Sequence, residues 1–248
     1  MGRIYFVSDL HLGLPPAAAS RQREHKFVQW LDEIKHDAEA LYLLGDIFDY
    51  WFEYRKVVPR GFVRTLGKLA ELSDRGIDIH FFTGNHDVWV FDYLPSEIGL
   101  TVHNGPLITE LKGKQFYIAH GDGLGKGDPG YKLLKAIFRS RFLQWLYARI
   151  HPNASTVFAH WWSKKSRYSK GVAEEFQGEE KEQQIVFARE LLKKQHFDYF
   201  VFGHRHVAMD INLNGKSRLV NTGEWIFGSS YAVFDGQELV LKEYHPTS

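Results

Sequence analysis

Five short apolar runs, each followed by a polar residue able to bind a metal, set the rhythm of this chain. Ile4 to Ser8 leads into Asp9 and His11, Ala40 to Leu44 into Gly45-Asp46, and Ile77 to Phe82 into Thr83-Gly84-Asn85-His86-Asp87. Farther on, Phe116 to Ala119 precedes His120, and Tyr199 to Phe202 precedes His204 and His206. Runs that are apolar throughout, rather than strictly alternating, predict strands of a parallel sheet covered on both faces. Helical spacings separate the first three. Phe27, Trp30, Leu31 and Ile34 share one helix face, with Ser20 as the expected cap after a loop holding Pro15 and Pro16. Phe62, Val63, Leu66, Leu69 and Ala70 mark a second helix ending near Gly76. Strand, helix, strand, helix, strand brings the polar residues to the carboxyl edge of an open sheet, where the connecting loops converge.

The second half changes character. Leu107 to Leu111 and Gln115 to Ala119 flank Lys112-Gly113-Lys114, Ile211 to Leu213 and Ser217 to Val220 flank Asn214-Gly215, and Tyr231 to Phe234 and Leu239 to Tyr244 flank Asp235-Gly236. These are hairpin signals. A helix is expected from about Glu179 to Gln195, and residues 131 to 170 read as helical up to Pro152 and again from about Ala154. The expected architecture is one domain over residues 1–248, with two sheets packed face to face between helices and residues 131–170 inserted as a helical cap. A chain of 248 residues that is 44% apolar can bury such a core.

Charge singles out the cap. Residues 131–170 hold nine Lys or Arg, no Asp or Glu, and nine aromatics, which leaves 22 basic against 30 acidic residues for the rest of the chain. Solvated helix faces usually mix signs, so this segment is expected to meet a partner of its own. Leu134, Ile137, Phe138, Phe142 and Trp145 form one helical stripe, while Leu143, Leu146, Tyr147 and Ile150 fall largely outside it, followed by Phe158, Trp161 and Trp162. That surplus of apolar surface predicts a pocket lining or a membrane contact. The chain has no cysteine, so any metal takes oxygen and nitrogen ligands. Neither a basic leader nor a long apolar stretch precedes the first strand, and a cytosolic or peripherally attached protein is expected.

Asp9, His11, Asp46, Asn85, His120, His204 and His206 offer two carboxylates, one amide oxygen and four imidazoles. These are too many for one tetrahedral ion and suit two cations sharing a carboxylate. Two cations about 3.5–4 Å apart can lower the pKa of a bridging water and stabilise the entering and leaving oxygens of an in-line displacement, which fits phosphoester hydrolysis. His86, beside Asn85, would face the substrate and help neutralise phosphate charge or protonate the leaving oxygen, with Asp87 orienting its other ring nitrogen. Gly125-Lys126-Gly127-Asp128-Pro129-Gly130 has dinucleotide-fingerprint spacing but lacks the strand–helix setting and reads as a loop.

In this order, Asp9-x-His11, Gly45-Asp46, Gly84-Asn85-His86-Asp87, His120 and Gly203-His204-x-His206 resemble the calcineurin-like metallophosphoesterase superfamily. The resemblance implies a four-layer α/β/β/α sandwich of two mixed sheets. It places one metal on Asp9, His11, Asp46 and His206, the other on Asp46, Asn85, His120 and His204, and makes His86 catalytic. Within the superfamily, Ala119-His120-Gly121-Asp122, Asp128, Gly130-Tyr131 and a helical insert ending in Ser163, Arg167 and Lys170 resemble the UDP-2,3-diacylglucosamine hydrolases of lipid A biosynthesis. That likeness implies two divalent ions, most commonly Mn2+, a nucleotide-linked lipid substrate, and contacts from Asn85, Asp128, Tyr131, Ser163, Arg167, Lys170 and His204. It also implies a cytoplasmic enzyme in peripheral contact with the anionic face of the inner membrane. The chain departs from the best-known branch at His86, where that branch has Arg. A phosphodiesterase or nuclease of the same superfamily is the alternative, with the cap tracking a nucleic-acid backbone. A non-enzymatic scaffold would be expected to have lost ligands, and here every ligand position is filled.

Overall fold

The structure, a computed structural model, describes residues 2–125, 129–159 and 175–246. Two sheets form its centre. The first takes the order β11-β10-β1-β2-β3-β4, from β1 (Arg3–Val7), β2 (Ala38–Leu43), β3 (Asp78–Phe82), β4 (Thr101–His103), β10 (Ser230–Phe234) and β11 (Leu239–Glu243). The second runs β5-β6-β7-β9-β8, from β5 (Leu107–Leu111), β6 (Lys114–Ile118), β7 (Tyr199–Phe202), β8 (Ala208–Asn212) and β9 (Arg218–Thr222). β1 through β4 pair in parallel, as do β6 with β7 and β7 with β9, and the three expected hairpins are antiparallel.

The side-chain alternation within each strand decides the layers. Ile4 and Phe6 of β1 join Phe116, Ile118, Tyr199 and Val201 in a core between the sheets. Tyr5 and Val7 point the other way, into a cluster with Phe27, Trp30 and Leu31 of α1 (Ala17–Ile34) and Leu69 and Leu72 of α2 (Val63–Asp74). On the far side, Tyr117, Phe200 and Phe202 pack on Ile185 and Ala188 of α7 (Gln183–Leu192). The order is therefore helices, sheet, sheet, helix, the four-layer sandwich. The strands read as unbroken apolar runs because each central strand is covered on one face by helices and on the other by the second sheet.

Three local expectations change. Ser20 does not cap α1: the helix starts at Ala17 behind Pro16, and the buried Ser20 hydroxyl accepts the Gly13 N–H at 2.7 Å. Ala17–Ala19 are strong helix formers and carry the helix one turn upstream. The three-residue β4 and α3 (Tyr93–Ile98) extend the first sheet and its helical layer, and both are too short to leave a periodic signal. Between β6 and β7, α4 (Pro129–Arg139) and α5 (Arg141–Tyr147) are separated at Ser140, whose backbone is extended, and α6 follows over 152–159. The Phe138 carbonyl, freed by the break, accepts Trp89 Nε1–H and Gln144 Nε2–H, each at 2.8 Å.

Candidate metal centre and substrate pocket

All five ligand-bearing runs end at one edge, and backbone bonds stitch their loops together. Asp9 N–H donates to Gly45 O at 3.1 Å, His11 N–H to Asp46 O at 2.9 Å, and Gly203 N–H to His120 O at 2.9 Å. Asp9, His11, Asp46, His204 and His206 all have φ between 45° and 70°, a left-handed conformation that costs a non-glycine residue of order 1–3 kcal/mol. Among the described residues only Phe62 and Lys112 are other non-glycine cases, so the strain is concentrated at the site. Gly84 serves close approach rather than a left-handed turn: a Cβ there would lie 2.2 Å from Asp46 Oδ1. A Cβ on Gly203 would come within 2.5 Å of Asp9 Oδ2.

The structure brings the seven candidate ligands together in two groups. Asp9, His11 and His206 place ligand atoms within 4.8 Å of one another, and so do Asp46, His120 and His204. Asp46 lies between the groups, with Oδ2 3.8 Å from His11 Nε2 and 3.6 Å from His120 Nε2. Asn85 Oδ1 is 3.3 Å from His120 Nε2. His86 forms a third trio with His11 and Asp46 and stands edge-on to the His11 ring at 4.7 Å.

The donor chemistry fits divalent cations. His120 Nδ1 lies 2.7 Å from Leu44 O, which can only accept, so Nδ1 carries a proton and Nε2 is the nitrogen turned toward Asn85 Oδ1 and Asp46 Oδ2. His11 Nδ1 lies 3.3 Å from Asp49 Oδ1, and its Nε2 lies 3.2 Å from His206 Nε2. Asp9 Oδ2 is held by His204 N–H at 2.8 Å and by Ser8 Oγ, whereas Asp9 Oδ1 is buried without a hydrogen bond. Lone pairs converging on lone pairs in a buried site call for positive charge at their focus. Protonation follows the same field. Burial would lower His120, yet Asp46, Asp9 and Asp122 outweigh it and push the ring up to about 9, so the carboxylates hold a proton on Nε2 that a divalent cation at the same point would displace. Burial, with neighbouring imidazoles, pushes His11 and His204 down to about 4, in the neutral form that binds a metal.

The expected roles of His86 and Asp87 separate. Asp87 does not contact the His86 ring; its carboxylate accepts the backbone N–H of Gly84 and Ile47 at 2.8 Å, of Asp46 at 3.2 Å and of Phe48 at 3.3 Å. It locks the Gly84–Asp87 turn to the loop after β2, and burial together with Asp46 pushes it up to about 7. The partner of His86 is Asp49, whose carbonyl lies 3.0 Å and whose Oδ1 lies 3.7 Å from Nδ1. Nδ1 thus carries a proton, leaving Nε2 as the nitrogen that can exchange one. Asp49 also holds His11, and the only trace of it in the sequence is a carboxylate three residues after Asp46.

A cavity of about 550 Å³ opens from this centre. Asn85, His86, His204 and Asp122 line one end, and Trp89, Leu134, Phe138, Leu143, Tyr147 and Phe158 line the other. Tyr131 O–H and Lys135 Nζ both donate to Asp122 Oδ2, at 2.7 and 2.6 Å. Burial works to raise the Asp122 carboxyl, but the His120 and Lys135 charges hold it well below the usual carboxylate range. Lys135 was not anticipated as a pocket residue. Of the predicted substrate contacts, Asn85, Tyr131 and His204 line the cavity. Asp128, Ser163, Arg167 and Lys170, with Trp161 and Trp162, lie outside the described residues. The predicted stripe does not survive the break at Ser140. Leu134, Ile137 and Phe138 face the cavity, but beyond the break Leu143 and Tyr147 take over, while Phe142 and Trp145 are 66% and 52% exposed.

The calcineurin-like phosphoesterase family profile matches residues 2–208. A UDP-2,3-diacylglucosamine hydrolase of Porphyromonas gingivalis is 44% identical, over 97% of this chain and 97% of that protein. One from Aeromonas hydrophila is 26% identical, over 96% and 97%. Among solved structures, YfcE, a phosphoesterase from E. coli, aligns with a TM-score of 0.47 at 16% identity, covering 96% of this chain and 90% of its own.

Proposed function

The chain belongs to the calcineurin-like phosphoesterase family and is a hydrolase, and from that premise we propose that it cleaves the pyrophosphate of UDP-2,3-diacylglucosamine to UMP and 2,3-diacylglucosamine 1-phosphate in lipid A biosynthesis. One observation carries this reading beyond the names of its relatives: a single cavity starts at the phosphate-facing residues Asn85, His86 and His204 and continues into an apolar compartment under α4, α5 and α6. A charged diphosphate and an acyl chain fit those two ends.

In this reading, Asp9, His11, Asp46 and His206 hold one divalent ion, Asp46, Asn85, His120 and His204 hold the other, and Mn2+ is the preferred occupant. Such a pair supplies Lewis acidity toward the phosphate oxygens and lowers the pKa of the attacking water. His86 holds a proton on Nε2 for the leaving phosphate oxygen while Asp49 keeps its Nδ1 protonated and the ring in place. Lys135, anchored on Asp122 at the cavity wall, offers a cation to the diphosphate. Asp87 acts only on the backbone that carries Asn85 and His86. The helices between β6 and β7 form the cap, and their exposed apolar and basic residues meet an anionic membrane face from the cytoplasmic side. Among the described residues no helix is long and apolar enough to cross a membrane.

The test is a hydrolysis panel with Mn2+ added, comparing a UDP-diacylglucosamine, bis(p-nitrophenyl) phosphate and a single-stranded oligonucleotide. The reading expects the diacylated nucleotide to have by far the highest kcat/KM, with UMP as product. Preference for the oligonucleotide would move the function to a nuclease.

A further inference from the structure

The loop leaving β2 beyond Asp46 builds a second basic surface beside the cap. Its inner side is anchored: Phe62 packs on Phe48 and Trp51, with ring centroids 4.9 and 6.4 Å apart, and the Phe52 ring lies 4.8 Å from Tyr147 of α5. A tight turn closed by Tyr54 N–H on Val57 O at 2.9 Å projects Arg55 and Lys56, and the Tyr54 hydroxyl lies 2.5 Å from Ser155 Oγ of α6. The tip of the loop therefore stands next to the cap, at the same sheet edge as the metal centre.

Its outer side is a cluster of cations. Arg55, Lys56, Arg60 and Arg64 are all exposed, and none of their side chains has a hydrogen-bond or ion-pair partner among the described residues. Cations elsewhere include paired ones, such as Arg3 with Asp37, Lys68 with Asp32 and Glu71, and Arg218 with Asp210 and Glu238, whereas here four without a partner fall within ten residues. The two acids of this loop are turned inward: Asp49 toward His11 and His86, and Glu53 accepting Trp51 Nε1–H at 3.0 Å and the N–H groups of Phe91 and Asp92 at 2.8 Å. Interleaved with the four cations, Val57 and Val63 are 50% and 76% exposed. Free cations alternating with exposed aliphatic side chains on an anchored loop complement a surface that is anionic outside and apolar just beneath.

We propose that residues 54–64 dock on an anionic bilayer, with Arg55, Lys56, Arg60 and Arg64 on lipid phosphates and Val57 and Val63 at the interface. Together with the exposed face of α5, this loop makes a two-sided platform that turns the cavity toward the lipid. The inference rests on the lipid-substrate reading above and extends it to a segment outside the cap.

The experiment is co-sedimentation of the full chain with phosphatidylglycerol-containing vesicles and with phosphatidylcholine vesicles, for the wild type and for the variant Arg55→Glu, Lys56→Glu, Arg60→Glu, Arg64→Glu. The wild type should prefer the anionic vesicles, and the variant should bind them at least roughly tenfold more weakly, the difference shrinking at high salt. Its melting temperature and its hydrolysis of bis(p-nitrophenyl) phosphate should match the wild type. A milder pair, Arg60→Gln with Arg64→Gln, should give an intermediate loss and guards against misfolding of the fourfold variant. If wild type and variant bind anionic vesicles equally, the loop is not a docking surface, though the cap can still be one. A wild type that ignores both vesicle types overturns the loop proposal and membrane contact together, while hydrolysis of the diacylated nucleotide in detergent would leave the substrate reading standing.

Discussion

Gln184, at the start of α7, offers a sharp test of how the metal centre is held. Its side chain is 1% exposed, and Nε2 donates to Gly203 O at 2.8 Å while Oε1 accepts Asn221 Nδ2–H at 2.8 Å. Asn221 itself is fully buried and donates to the same Gly203 carbonyl at 2.6 Å. Two amides thus clamp the residue that immediately precedes the left-handed His204. Replacing Gln184 by Leu removes its hydrogen bonds to Gly203 O and Asn221 Nδ2 and a long one to Gly121 O, and leaves one buried Asn221 N–H without a partner, a loss of about 3–5 kcal/mol at about 1 kcal/mol for each of the two short bonds plus the desolvation penalty. For a chain of this length that lowers the melting temperature by roughly 5–10 °C, measured by calorimetry in a chelator so that metal binding does not contribute. Because Gly203 sets the His204 and His206 loop, affinity for Mn2+ by titration calorimetry should fall about 10–100-fold, the usual effect of disturbing a ligand's support. Gln184→Glu is the complementary variant. It aims an oxygen at the Gly203 and Gly121 carbonyls, which raises the folded-state pKa of the new carboxyl above its unfolded value. The neutral acid is tolerated, so the deficit in melting temperature should be smallest near about pH 5 and grow toward about pH 8. A Gln184→Leu protein that melts within a degree or so of wild type and binds Mn2+ normally would refute the clamp.

Three further outcomes follow from the site. Asp46→Ala should cost both metals and nearly all turnover, whereas His11→Ala mainly weakens one; metal analysis of the purified variants showing two ions per Asp46→Ala chain would remove Asp46 from its bridging place. His86→Ala should lower kcat roughly 10²–10⁴-fold with metal content unchanged, and His86→Arg should retain more activity if a cation at the phosphate is what matters; equal loss in both would make proton donation from Nε2 the essential role. Leu143→Ala, on the cavity wall, should raise KM for a diacylated nucleotide but spare bis(p-nitrophenyl) phosphate, while Phe142→Ala, on the outer face, should leave detergent-phase hydrolysis unchanged; the reverse ranking would place the acyl chain on the exposed face.

The sequence by itself determined the strand order of the first three β/α units, the three hairpins and the set of residues that meet at the centre. Those features are local. An apolar run followed by a ligand, or a Gly at a two-residue turn, constrains its neighbours whatever the rest of the chain does, and the carboxyl-edge rule then gathers the five loops. Tertiary structure decided everything that depends on distance between loops. Asp87 sits beside His86 in the chain, yet the turn aims its carboxylate at four backbone amides, and the His86 ring falls to Asp49, 37 residues upstream. The heptad-like stripe of the cap assumed one helix; Trp89, from another loop, takes the Phe138 carbonyl at the break, and the cavity wall passes from Phe142 and Trp145 to Leu143 and Tyr147. The cations of residues 55–64 were submerged in an acidic average, because composition carries no information about which charges find partners. Periodicity reports which face of an element is apolar, whereas partners, breaks and unpaired charges are set by contacts between segments far apart in the chain, which only the folded arrangement supplies.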